Sequence, residues 1–123
     1  MSTIHPKRDL DLTYLNEVAD GSDEFIVETI AMFLEQAPEI IDILGTAIEN
    51  RDWPTAANYA HKLKPNLGIF GMLRSQELFR EIEFASKGES PDYDTIAPKL
   101  VEAKAYITEN MSALVLIKKE KEA

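Results

Sequence analysis

His61 and Lys64, one helical turn apart in the stretch "YAHKLKPNLGIFGM", are the two side chains in this sequence whose types and spacing suggest chemistry. An imidazole can be a core residue, a metal ligand, a general base or a nucleophile, and each role makes its own demand on the neighbours. Taking about 100° per residue around a helix, Tyr59, Ala60, Ala56, Leu63, Leu67 and Phe70 gather on one side, and His61 falls on the other. Ala57, Asn58, Lys64, Pro65 and Gly68 lie within roughly 60° of it. A core role is therefore excluded, and the small residues at 57 and 68 read as clearance for something large.

Metal binding fails on count. The other histidine, His5, lies near the chain start, no His or carboxylate stands three or four residues from His61, and cysteine is absent. No metal site and no cofactor are expected. General-base catalysis needs a carboxylate to orient the ring. None is at helical spacing, although another helix could supply one. Lys64, on the same face, disfavours a second positive charge on the ring, which predicts a neutral, nucleophilic imidazole. If that ring acquired a phosphoryl group, the same ammonium would attract the dianion.

The elements that must position these residues are helical. A short helix is predicted over "LTYLNEVA". A second starts at Ser22 or Asp23 and carries the stripe Ile26, Ile30, Phe33, Ala37, Ile40, Leu44 and Ile48, with a kink expected at Pro38. Asp52 caps a third, which bears His61. A fourth runs from about Leu73 to Lys87 and stops at Gly88. The last is expected to begin near Thr95, with Pro98 in its first turn, and to continue through Leu100, Ala103, Ile107, Met111, Leu114 and Ile117. Amphipathic helices joined by short connections, with no strand pattern, predict an all-α, antiparallel four-helix bundle with an additional short N-terminal helix. The expected boundaries are an N-terminal tail at 1–10, one domain at 11–118 and a fraying C-terminal tail at 119–123.

With 123 residues, 45% of them apolar and 28% charged, the chain suffices for one folded domain. A net charge of -9 argues against nucleic acid as partner. No run has the length of a membrane span and no signal sequence is evident, so a cytoplasmic monomer is the default expectation. Neither a Walker A motif nor a glycine-rich nucleotide loop is present.

The stretch "AHKLKPNLGIFG" resembles the signature of histidine-containing phosphotransfer (HPt) domains of two-component phosphorelays, a His-x-Leu-Lys-Gly core followed by a glycine about ten residues after the histidine. His61, Leu63, Lys64, Gly68 and Gly71 stand at matching positions. The approach from Asn50 to Trp53 and the segment "LFREIEFA" add to the likeness, which covers roughly residues 23 to 117. The resemblance implies a phosphoryl carrier in signal transduction, not a complete enzyme. His61 would be the phosphohistidine and Lys64 the phosphate neighbour. The partners would be receiver domains, which supply the catalytic Mg²⁺, and a sensor or hybrid histidine kinase. Ala57, Asn58, Pro65, Gly68, Ile69, Gly71 and Met72 would form the docking surface, with Ile69 and Met72 leaning outward as its apolar part unless they close the core. Gly68 and Gly71 would mark either the approach of a partner loop or close helix packing.

Pro65 departs from this pattern, standing where the family usually has glycine. It removes an amide and crowds the His61 carbonyl, so the helix either kinks and continues or ends near Lys64 with His61 in its last turn. A non-phosphorylated adaptor that binds receiver or kinase domains, and a small hydrolase using His61, are the other functional classes weighed.

Overall fold

The computed structural model describes residues 8–123, which contain five helices and no strand. Helix α1 spans Thr13–Ala19, α2 Asp23–Glu49, α3 Trp53–Ile69, α4 Leu73–Lys87 and α5 Tyr93–Glu122. The four long helices form a closed ring in which α2 packs on α3 and α5, and α4 packs on α3 and α5, while α1 lies against α2. This is the predicted bundle.

Each long helix starts where a side chain can satisfy its free amides. Ser22 accepts from the Phe25 amide and Asp52 from the Thr55 amide, while Asp23 and Glu24 place negative charge in the first turn of α2. Asp92 accepts from the Asp94 amide and so starts α5 at Tyr93, two residues before the predicted Thr95. Pro98 consequently lies in the second turn, where it forgoes the bond to the Asp94 carbonyl, and not in the first turn as expected. Helix α2 continues through Pro38, whose exposed side leaves the buried Phe33, Ala37 and Ile40 in phase.

The end of α5 is also longer than predicted. Instead of fraying beyond residue 118, it runs to Glu122, held by the Lys118–Glu122 pair at 2.7 Å and by Lys121 on Asp23 of α2 at 3.2 Å. The core fills the ring from end to end. Ile30, Leu44, Leu63, Leu67, Phe79, Ile82, Ile96 and Ile107 are fully buried, and the rings of Phe33 and Phe70 meet with centroids 4.9 Å apart. Emptying any one of the central leucines, as in Leu63→Ala, should cost about 2–5 kcal/mol.

The described residues before α1, at 8–12, pack on the bundle, with Leu10 and Leu12 half-buried against the core. Helix α4 has no side-chain cap of its own at Met72. The Asp9 carboxylate supplies one from outside, accepting from the Ser75 amide at 2.8 Å and from the Asn110 side-chain amide of α5 at 2.6 Å. The Asp11 amide donates to the Phe70 carbonyl at the end of α3. That end is closed by the Met72 amide on the Leu67 carbonyl and the Gly71 amide on the Gly68 carbonyl, with Gly71 left-handed at φ 66°. Only glycine fits there without strain, and a Cβ would also run into the Asp11 backbone.

Candidate functional site

Helix α3 does not end at Pro65. It runs eight residues beyond His61 to Ile69, which rules out the reading that places His61 in the last turn. Leu63 and Leu67 point into the core, and the His61 side chain stands outward with 65% of its surface exposed. The predicted orientation holds.

What faces His61 comes from α4. Nδ1 of His61 lies 2.9 Å from Oε2 of Glu83, a side chain only 3% exposed. Lys64 donates to the other oxygen, Oε1, at 2.8 Å, and Lys87 donates to Oε2 at 3.0 Å. Burial by itself would raise the Glu83 pKa. Hydrogen bonds from Lys64 and Lys87, with the charge of Lys64 and the influence of His61, more than offset it and push the value down to about 2. Glu83 is therefore ionised at neutral pH and can only accept. The proton between it and His61 belongs to Nδ1, and in the neutral ring the free lone pair is on Nε2, at the far edge of the imidazole.

This arrangement corrects the expected role of Lys64. Its ammonium is held on the carboxylate, so its effect on the ring passes through Glu83 instead of acting directly across the helix face. Sequence reasoning missed both Glu83 and Lys87, although it left open that a carboxylate might come from another helix. A signal was present. Glu83 shares the buried face of α4 with Phe79 and Ser86, an unfavourable place for an unpaired carboxylate, and Lys87 follows at the i+4 spacing of a helical ion pair.

Pro54, Ala57, Asn58, His61 and Lys87 line a surface hollow of about 330 Å³. Asn58 and Pro65 are exposed beside His61 as predicted. Ala57 is 5% exposed, so it forms the floor of the hollow and not a projecting contact. Gly68 makes room inside the protein: a Cβ there would stand 2.6 Å from Nε2 of Gln76, which donates to the Lys64 carbonyl at 3.1 Å.

Among the remaining expected docking residues, the outward placement of Met72 is corrected. Met72 is fully buried, because the closure of α3 folds it back towards Leu67, the apolar contact such a helix end brings. Ile69 is half-buried against the core, and Gly71 is required by the backbone turn and by Asp11. Of the two alternatives for these glycines, close packing is the one found. His5 lies outside the described residues. Among those described, no group of three or more His, Asp or Glu side chains could hold a metal ion, and no helix is long and apolar enough to cross a membrane.

The family model described as "Hpt domain" matches residues 28–115, most of the chain and all of α3 and α4. The chain belongs to the Hpt domain family. At the level of the family, this Hpt domain is a phosphocarrier module of His–Asp phosphorelays, interacting with receiver domains and kinases. No curated protein and no solved structure matches the chain. The matched range begins after Ser22, so the Asp9 and Asp11 contacts lie outside what the Hpt model describes.

Proposed function

We propose that this Hpt domain carries phosphoryl groups on Nε2 of His61, accepting from the aspartyl phosphate of one receiver domain and donating to the aspartate of another. The observation that carries the reading is the bond from His61 Nδ1 to the buried, ionised Glu83, which leaves the Nε2 lone pair at the solvent-facing edge. In the accepting step Nε2 forms the N–P bond while the acyl P–O bond breaks, its electron pair leaving with the receiver's carboxylate. The Nδ1 proton stays on the ring, and Glu83 offsets the positive charge that develops there. Lys87 and Lys64 lie on the same carboxylate, where either ammonium can turn toward a bound phosphoryl dianion.

Pro65, which departs from the family pattern, is the reason to consider an adaptor that has lost phosphotransfer. Continuity of α3 through that residue, with an intact His61–Glu83 pair beyond it, favours the carrier. The test is incubation with a radiolabelled phosphoreceiver. The wild-type protein should take up label that is stable in alkali and lost in acid, and His61→Gln should take up none while keeping its fold. Equal labelling of the two proteins would refute the assignment.

A further inference from the structure

The surface around His61 reverses the charge of the chain. Acidic residues outnumber basic ones 22 to 13, yet the exposed or half-exposed charges of α3 and α4 are Lys62, Lys64, Arg74, Arg80 and Lys87 against Glu77 and Glu81. Glu83, the carboxylate that Lys64 and Lys87 both hold, is buried beneath these two. Helix α4 presents Arg80, Phe84 and Lys87 at spacings of four and three, hence along one face.

Phe84 is conspicuous on that face. It is 55% exposed, and what lies near its ring is cationic: Nζ of Lys64 at 5.9 Å and Cζ of Arg80 at 5.5 Å from the centroid. Cation–π contacts at such exposure contribute little to folding. Arg80 makes no ion pair among the described residues, whereas Arg74, Lys99, Lys118 and Lys121 all do. An exposed aromatic beside an unpaired arginine has the composition of a binding hot spot. Of the apolar contacts expected from the sequence, Met72 is taken up by the core and Ile69 is half-buried against it. The link to the site is Lys64, whose ammonium lies near the Phe84 ring and donates to Glu83 at 2.8 Å, so a partner seated on Phe84 meets a lysine of the His61–Glu83 cluster.

We infer that Phe84 and Arg80 anchor a docking face on α4 for the acidic rim of a receiver domain. The inference rests on the reading of His61 as phosphoryl acceptor. Charge complementarity selects the occupant: a receiver's phosphorylated aspartate lies in an acidic pocket, and a basic island on a chain of net charge -9 attracts such a surface at one place while the remainder repels it. The aromatic ring then supplies the desolvated contact that holds the encounter.

The experiment measures KM and kcat for phosphoryl transfer from an isolated receiver domain, phosphorylated with acetyl phosphate, to wild type, Phe84→Ala and Arg80→Glu. Labelling of each protein by phosphoramidate, a small donor that needs no docking face, is run alongside. Each substitution should raise KM about tenfold with little change in kcat, lowering the ratio of receiver-driven to phosphoramidate-driven labelling by the same factor. Arg80→Glu should also flatten the rise of KM with salt. KM values within about twofold of wild type for both variants at low salt would overturn the docking face and leave His61 as acceptor. Failure of phosphoramidate and receiver alike to label the wild-type protein would remove the reading of His61, and this inference with it.

Discussion

Two carboxylates, Asp9 and Glu83, each tie helices together through several hydrogen bonds, and they do so to opposite ends. Asp9 accepts from a backbone amide and a side-chain amide that are themselves buried, Ser75 and Asn110 being inaccessible to solvent. Nothing in that cluster reaches the surface in a form that can react. Glu83 is the more deeply buried acid, yet its donors are ionisable side chains that extend outward: His61 and Lys87 are 65% and 58% exposed. A polar cluster whose donors are all internal fixes a structure. One whose donors have a second, exposed end positions chemistry. The distinction lies in where the donors lead and not in the number of bonds.

The contrast is sharpest if Asp9 is removed. Asp9→Ala leaves the Ser75 amide and the Asn110 side chain without their partner in the core, at about 1–3 kcal/mol for each unsatisfied group. Denaturant unfolding should show a loss of about 2–4 kcal/mol, while the folded fraction still accepts phosphoryl groups. Loss of acceptance with stability unchanged would mean that the N-terminal segment acts on the site and not on the fold.

Glu83→Ala should do the reverse in proportion. A charge-assisted hydrogen bond is worth about 1.5–3 kcal/mol, so labelling of His61 by a receiver should slow by about 10- to 100-fold. Stability should respond to acid as well. Since the folded Glu83 titrates near 2 and its ordinary value is 4.5, its contribution is complete above about 4.5 and is lost as pH falls towards 2. Stability of the wild type should therefore decline through that window more steeply than stability of Glu83→Gln, as followed by circular dichroism.

Smaller effects follow for the two lysines that share the carboxylate. Lys64→Ala and Lys87→Ala should each slow transfer by about two- to fivefold, the scale of a partly exposed ion pair, and together by more than their product, since each can stand in for the other. Stopped-flow transfer rates for the singles and the double decide this, and strict multiplicativity would show that the two act independently. The least effect is expected from Pro65→Gly. It restores an amide but adds chain entropy, so stability should shift by less than about 1 kcal/mol and the transfer rate by no more than about twofold.

How much of this was legible in the residues follows the same division. The bundle, the caps at Ser22 and Asp52, the end of α4 at Gly88 and the outward direction of His61 all follow from local periodicity and capping, properties of residues close in the chain. Glu83 and Lys87 reach His61 across 22 and 26 residues of sequence, and only the packing of α3 on α4 makes them neighbours. Met72 was misplaced for a related reason. Its distance from the apolar stripe follows helix geometry, but the chain has left the helix there, and Gly71 turns it inward. The Asp9 cap could not be read from α4 either, because its partner lies 66 residues away. Phe84 and Arg80 were visible as residues, but exposure and the lack of an ion pair become informative only when the neighbours are known.

If Glu83 keeps the proton on Nδ1, Nε2 is the nucleophilic nitrogen of His61. Long-range ¹H–¹⁵N NMR on protein labelled at histidine, recorded at roughly pH 8 where the free imidazole is neutral, reads both ring nitrogens directly. Before treatment, Nδ1 of His61 should show the protonated, pyrrole-type shift and Nε2 the unprotonated one. After phosphoramidate, phosphorus coupling should appear at Nε2. A proton on Nε2 in the free protein, or a phosphoryl group found on Nδ1, would overturn the role given to Glu83.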